Sequence, residues 1–88
     1  MKTIKFEVSI EQLCGFCPAE IEGYYWEFEE NGKLLYTYDV VECYFNEDDD
    51  NLVEVTVVTN QPDAEPAGVQ DSFLWNMEEE AEAFSTPQ

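Results

Sequence analysis

The chain has 88 residues, of which 21 are acidic and three are lysines, with neither arginine nor histidine, so its formal net charge is −18. This length accommodates one domain, residues 1–88. An apolar content of 44% and an aromatic content of 15% exceed what an acidic disordered chain carries, so we expect a folded core. The scarcity of basic side chains excludes direct binding to nucleic acid or to an anionic membrane, because both require cationic residues.

The chain begins with a segment that alternates between apolar and polar residues. Residues 3–10 show the two-residue period of a strand with one buried face. Residues 11–19 form a connection, and Ser9, followed three residues later by Gln12, fits the cap of a short helical turn at its start.

The next two segments are predicted to form a β-hairpin. Residues 20–30 and 33–45 are rich in aromatic and β-branched residues, which favour strands. Between them, Asn31 and Gly32 favour the two positive-φ positions of a type I′ turn. This dipeptide is the clearest local signal in the sequence.

The hairpin turn also predicts a register for the two strands. A pairing of Glu30 with Lys33 sets Phe28 opposite Leu35, which gives one apolar face and one face that mixes carboxylates with tyrosines. The side chains expected on the mixed face are Tyr25, Glu27, Glu29, Tyr36 and Tyr38. The buried side of the second hairpin strand is expected to continue through Val41, Cys43 and Phe45.

The second half of the chain predicts one more strand and a helix. Residues 52–59 alternate as a strand with valines on one face, after an acidic turn at residues 46–51. Residues 60–68 contain two prolines and a glycine, which end the sheet. Apolar residues then recur at three-to-four spacing between residues 69 and 84, which predicts an amphipathic helix.

Together these segments predict an α+β fold. A four-stranded antiparallel sheet, largely a meander, is expected to carry one C-terminal helix packed on its apolar face. The helix is expected to contribute Phe73, Met77 and Phe84 to that contact.

The catalytic side chains available to this chain are few. Without histidine there is no ordinary general base at neutral pH, and without arginine there is no bidentate clamp for phosphate or carboxylate. A pair of carboxylates is a possible acid and base, but 21 acids make some close pair inevitable in any fold. We therefore expect that the protein is not an enzyme and uses no cofactor.

Three cysteines leave several interpretations open. Cys14 and Cys17 have the two-residue spacing of redox disulfides and metal sites, but no strand-to-long-helix context follows them. A zinc site with Cys43 would need a carboxylate as its fourth ligand. Reduced thiols packed as small apolar residues are the favoured alternative.

The acidic run over residues 47–50 invites a calcium site, but it lacks the alternating ligand positions, central glycine and terminal bidentate glutamate of an EF-hand. We expect no dedicated metal site there.

The acids and tyrosines are candidates for binding a basic partner. Tyrosines are enriched at binding hot spots, and flanking carboxylates would steer a basic surface toward them, although a pleated strand also favours tyrosine for packing alone. The residues predicted to bind the partner are Tyr25, Glu27, Glu29, Tyr36, Tyr38, Glu47, Asp48, Asp49, Asp50, Glu78, Glu79, Glu80 and Glu82.

Two main explanations compete for the excess of negative charge: adaptation to high salt, and a surface that imitates nucleic acid. Halophilic proteins favour Asp and Arg and contain fewer large apolar residues, whereas this chain has 15 Glu, 6 Asp, no Arg and 13 aromatic residues. A surface that imitates nucleic acid is therefore favoured over adaptation to salt. The alternative is an acidic adaptor subunit that binds a basic partner without displacing nucleic acid.

In its size, its acidity and its acidic runs at residues 47–50 and 78–82, the chain resembles the small phage-encoded DNA-mimic inhibitors of the anti-CRISPR and antirestriction type. That resemblance implies stoichiometric blockade, without catalysis, of a basic nucleic-acid-binding protein such as a CRISPR effector or a restriction enzyme.

The sequence has no apolar run long enough to span a membrane and no signal-peptide pattern at its start, so we expect a cytoplasmic protein, in the host cell if the protein is phage-encoded.

Overall fold

The elements of the chain are defined by a computed structural model that describes the backbone of residues 1–85 and the side chains of residues 1–83. They are β1 (Lys2–Ser9), a 3₁₀ turn (Ile10–Leu13), α1 (Pro18–Ile21), β2 (Tyr25–Glu30), β3 (Lys33–Phe45), β4 (Leu52–Thr59) and α2 (Pro66–Ser85). The strands form an antiparallel sheet in the order β1-β4-β3-β2, in which β2, β3 and β4 are a meander. The predicted α+β fold, with a four-stranded antiparallel sheet and a C-terminal helix, is confirmed.

The core lies between one face of the sheet and α2. Phe73 is fully buried, and its ring lies 5.5 Å from that of Phe6 on β1 and 5.9 Å from that of Trp26 on β2. Val69 and Met77, one turn to either side, are also buried. The helical spacing in the sequence therefore identified the packed side of α2, while the predicted contact of Phe84 lies outside the described side chains.

The β2–β3 turn has the predicted geometry. Asn31 and Gly32 both have positive φ, at 54° and 75°. A type I′ turn requires this conformation at both central positions, and its twist matches that of the flanking strands.

The predicted hairpin register is wrong beyond the turn, because β3 contains a bulge. Glu29 pairs with Leu34 but Phe28 pairs with Tyr36, so Leu35 is an extra residue with no partner on β2. The bulge moves Tyr36 and Tyr38 to the side of the sheet that faces α2. There the rings of Phe28 and Tyr36 stack at 6.1 Å, and those of Trp26 and Tyr38 stack at 5.0 Å.

A second bulge lies further along β3 and corrects the predicted buried side of that strand. Val40 pairs with Val57 and Glu42 with Thr56, which leaves Val41 as the extra residue. Val40 and Cys43 are buried, whereas Val41 is 45% exposed and Phe45, at the strand end, is 44% exposed. Of the three residues expected inside, only Cys43 is buried.

Two element boundaries also differ from the prediction. The strand expected over residues 20–30 begins at Tyr25, because Pro18–Ile21 forms α1. There the Glu20 carboxylate accepts the Cys17 backbone N–H at 3.2 Å. The helix expected over residues 69–84 begins at Pro66, since proline lacks only an N–H that the first helical turn leaves unpaired anyway.

The 3₁₀ turn, α1 and α2 all pack on the core side of the sheet or at its ends. Among the described residues no helix covers the opposite side, which we call the open face.

Candidate protein-binding surface

The open face carries carboxylates from all four strands. Strand pairing places Glu7 opposite Glu54, Lys5 opposite Thr56, and Asp39 opposite both Val58 and Tyr25, all on this side. The six carboxylates of the open face are Glu7, Glu27, Glu29, Asp39, Glu42 and Glu54. In the described part of the chain, Lys5 is the only basic residue in register with them.

Five of these carboxylates follow one line across the sheet, which we call the acidic diagonal: Glu54, Glu42, Asp39, Glu27 and Glu29. Each step advances two residues along the strands, or three where it passes the bulge at Val41, and crosses to the next strand or stays on the same one. From the dimensions of antiparallel sheets, successive Cα atoms are about 7 to 8 Å apart. A regular row of negative charge therefore runs from β4 to the edge strand β2.

The Asn46 side chain holds Glu54, at the start of the acidic diagonal, together with the neighbouring Glu7. Its side-chain Nδ2 donates to Glu7 Oε2 at 3.2 Å and to Glu54 Oε2 at 3.4 Å, and so bridges two carboxylates that lie directly opposite each other. Like charges in such positions destabilise a strand pair, and a shared donor offsets part of that cost.

Two tyrosines lie among these acids, and the neighbouring carboxylates raise the pKa values of their hydroxyls. The hydroxyl of Tyr25 donates to Glu27 Oε2 at 2.6 Å, and this hydrogen bond is the main reason that the pKa of Tyr25 rises to about 12. The charge of Glu54 is the first cause of the raised pKa of Tyr44, followed by burial and the charges of Glu42 and Glu47. Both rings are about half exposed and present apolar surface between carboxylates.

The acidic loop, residues 47–50, continues the open face at one end of the sheet. Asn46 Oδ1 accepts the backbone N–H groups of Asp48 at 2.8 Å and Asp49 at 3.0 Å, while Asp49 Oδ1 accepts that of Asn51 at 2.9 Å. These hydrogen bonds satisfy the backbone N–H groups of the turn, and the other carboxylates of the loop face solvent. Because Asn46 also donates to Glu7 and Glu54, the loop adjoins the open face.

The acidic run on α2 lies in the other layer of the molecule. Glu78, Glu79 and Glu82 are exposed, while Glu80 is half-buried and contributes, after burial, to the raised pKa of Tyr24. Trp75, on the outward side of the helix, is 61% exposed. The α2 acids therefore form a surface separate from the acidic diagonal.

The predicted site residues are thus divided among three places. Tyr25, Glu27 and Glu29 lie on the open face with the acidic loop next to it, and the α2 acids lie opposite. Tyr36 and Tyr38 face α2 from the core side, where Tyr38 is only 6% exposed and its hydroxyl donates to Gln61 Oε1 at 2.6 Å. The expectation that Tyr38 is exposed is therefore wrong.

Several open-face residues were not among the predicted site residues. Glu7, Asp39, Glu42 and Glu54 come from three different strands and meet only through the pairing of β1, β4 and β3. Their alternation with apolar residues is visible in the sequence, but the long-range pairing and the bulge at Val41 are not.

The cysteines show a division between surface and core. Cys14 and Cys17 are exposed and Cys43 is buried. No group of three or more His, Cys, Asp or Glu side chains within the described residues is placed to hold a metal ion.

None of the helices described for the chain has the length and apolar character needed to cross a membrane.

Comparison with known proteins finds no family model, no curated protein and no solved structure that this chain matches.

Replacing Asn46 with aspartate tests the bridge between Glu7 and Glu54. Asn46→Asp keeps the oxygen that accepts the turn N–H groups but replaces the donating amide with a third negative charge. We expect a loss of about 1 to 2 kcal/mol in the free energy of unfolding at low salt, with part of it recovered at 1 M salt. Denaturant unfolding at two salt concentrations measures this. Asn51→Asp adds the same charge to the loop without touching the bridge, and an equal loss in both variants would contradict the bridging role.

The burial of Cys43 predicts unequal thiol reactivity. Burial, followed by the charges of Glu22 and Cys17, raises the pKa of Cys43 from 9.0 to about 11. We expect iodoacetamide at pH 8 to label Cys14 and Cys17 in the folded protein and to label Cys43 only after unfolding, because the thiolate is the reactive form. Mass spectrometry counts the labels, and rapid triple labelling of folded protein would contradict this.

The raised pKa of Cys43 also has a defined effect on stability. The thiolate is disfavoured in the folded state only, so the unfolded chain loses this proton at lower pH. The contribution of Cys43 to stability is therefore constant below about pH 9 and decreases as the pH rises toward 11.

Proposed function

We propose that this protein is a non-catalytic inhibitor that imitates nucleic acid and occupies the basic nucleic-acid-binding groove of another protein, such as a CRISPR effector or a restriction enzyme. The observation that carries the proposal is the acidic diagonal on a sheet face that no described helix covers. The proposal places the protein in the cytoplasm of the host cell, where such targets act.

The amount of charge is on the scale of nucleic acid. The longest dimension of the molecule is 38 Å, and a DNA duplex of that length carries about 22 phosphates. The net charge of the chain is −18. Self-repulsion of this size lowers stability and exceeds the charge of about 2 to 8 that keeps a small domain soluble, so a benefit in binding is expected to offset it.

The arrangement of the charge supports the same proposal. The residues of the acidic diagonal belong to paired strands, so the spacing of their carboxylates is fixed before binding. They therefore lose little conformational freedom on contact with a partner. Tyr25 and Tyr44 add apolar ring surface among them, and tyrosine is a frequent anchor in binding hot spots. A basic groove thus meets both fixed charges and aromatic contacts on one face.

The acidic loop is expected to act mainly on the rate of association. Replacing residues 47–50 with their amides removes four exposed charges beside the open face. Exposed charges steer encounter but are screened once a complex forms, so association should slow more than dissociation accelerates. Surface plasmon resonance against the target measures both rates, and a change confined to dissociation would contradict this role.

Capture from a cell lysate tests the proposal. Immobilised protein should retain a basic nucleic-acid-binding protein at low salt and release it as salt rises, because surface attraction is screened within about 10 Å at 0.1 M. A matched bait with Glu27→Gln, Asp39→Asn, Glu42→Gln and Glu54→Gln should retain much less of the same protein. Equal retention by both baits, or retention that is indifferent to salt, would refute the role of the acidic diagonal.

A further inference from the structure

An aromatic cleft lies on the core side of the hairpin, away from the open face. It has a volume of about 270 Å³ and is lined by residues of β2, β3, the connection that follows β4 and the first turns of α2. Its lining includes Phe28, Tyr36, Tyr38, Gln61, Glu65 and Ser72. Pockets for drug-sized ligands usually measure about 300 to 1,000 Å³, so this cleft suits a single side chain better than a small molecule.

The cleft combines ring surface with negative charge. Phe28 is about half exposed and stacks on Tyr36 with an interplanar angle of 14°. Glu65, the residue just before α2, is exposed and lines the cleft together with Gly68 and Val69. A planar cation is the ligand that both features favour, since it stacks on aromatic rings and pairs with a carboxylate.

The polar wall of the cleft is already ordered without a ligand. Gln61 accepts the Tyr38 hydroxyl at 2.6 Å through Oε1 and donates to Asp63 Oδ1 at 3.2 Å through Nε2. The hydrogen bond from Gln61 places the Asp63 carboxylate beside this wall, and burial, then the charges of Tyr36 and Asp63, raise the pKa of Tyr38. A bound cation would therefore meet the negative potential of Asp63 as well as of Glu65.

We propose that this cleft binds the arginine side chain of a partner protein, with the guanidinium stacked on Phe28 and Tyr36 and paired with Glu65. Arginine is favoured over lysine because its planar, weakly hydrated guanidinium stacks on rings and pairs with a carboxylate through two N–H groups. This site goes beyond the proposed function, because it lies on the opposite side of the sheet from the acidic diagonal and needs no nucleic-acid-binding groove.

The two tryptophans allow a direct test by NMR. The Trp26 indole Nε1 donates to Ser72 Oγ at 2.9 Å, and Ser72 lines the cleft, so the Trp26 indole signal reports on occupancy. The exposed Trp75 indole serves as the internal control, since Trp75 does not line the cleft. The probes are N-acetyl-arginine methylamide and its lysine and citrulline equivalents, the last of which has the shape of arginine without its charge.

We expect the arginine probe to shift the Trp26 signal to saturation and to leave the Trp75 signal in place. The lysine probe should bind more weakly and the citrulline probe should give no saturable shift. Equal affinity for arginine and lysine, or a parallel drift of both indole signals, would overturn the proposal.

Variants separate the cleft from general attraction between charges. Phe28→Ala should weaken the arginine probe by about 2-fold to 30-fold, the range of cation–π contacts, and Glu65→Gln by up to about 5-fold, the range of exposed ion pairs. Glu79→Gln makes the same charge change on the outward side of α2 and should leave the affinity unchanged. Weakening by Glu79→Gln as large as that by Glu65→Gln would overturn the site.

A substitution that fills the cleft with a larger side chain tests the site without removing any residue that contacts the arginine probe. A Cβ at Gly68 would meet no atom within 4 Å, and leucine is a better helix former than glycine. Gly68→Leu should therefore remain folded while its side chain occupies the cleft and abolishes binding of the arginine probe. Undiminished binding to folded Gly68→Leu would show that the probe binds elsewhere.

Discussion

Phe73→Ala is expected to lower the free energy of unfolding by about 3 to 5 kcal/mol, the cost of removing a fully buried aromatic side chain and leaving a cavity. Phe73 is the residue through which α2 contacts both Phe6 and Trp26, on the two outer strands of the sheet. A domain of this length has a total stability of roughly 4 to 13 kcal/mol, so this single change removes a large share of it. Urea unfolding followed by tryptophan fluorescence measures the loss.

Trp75→Ala is the matched control for this prediction. It removes a larger aromatic side chain from the same helix, two residues further on, but from a position that is 61% exposed. We expect a change within about 0.5 kcal/mol, as is usual for surface positions. Comparable losses in the two variants would mean that α2 does not pack on the sheet through its Phe73 side.

Removing four of the five charges of the acidic diagonal is expected to have the largest effect on binding. The variant with Glu27→Gln, Asp39→Asn, Glu42→Gln and Glu54→Gln loses four carboxylates that face the proposed partner. At about 0.7 kcal/mol for each exposed pair, affinity should fall about 100-fold at low salt, and the difference should shrink as salt rises. Titration calorimetry with the captured partner measures it.

A second set of four substitutions provides the control for total charge. Glu78→Gln, Glu79→Gln, Glu80→Gln and Glu82→Gln make the same change in net charge on α2, in the other layer of the molecule. We expect these to weaken binding by only a few-fold, through the long-range field alone. A greater loss from the α2 set would place the contact on that helix and contradict the choice of the open face.

The folding pattern was predictable wherever local chemistry decides it. Asn31 and Gly32 specify their turn, and the three-to-four spacing of Val69, Phe73 and Met77 specifies the packed side of α2, because both depend on neighbouring residues alone. α2 begins three residues before its predicted start, because Pro66, which ends a strand, is also favoured in the first turn of a helix.

The candidate site was predictable only in part, because it depends on the bulges in β3. Leu34 and Leu35 are both apolar, as are Val40 and Val41, so alternation alone does not show which member of each pair is the extra residue. Slipping by one residue reverses the face of every later side chain. For that reason Tyr36 and Tyr38 were expected on the surface that in fact holds Asp39 and Glu42.

The measurement that tests the central claim most directly is competition for the target between this protein and a labelled nucleic acid. The captured partner is first bound to a fluorescent duplex or RNA, and the protein is then added while anisotropy is recorded. We predict that the nucleic acid is released at one equivalent of the wild-type protein, and that the variant lacking four of the five charges of the acidic diagonal needs far more. A ternary complex in which the partner holds its nucleic acid and this protein together would contradict mimicry and leave the adaptor function in its place.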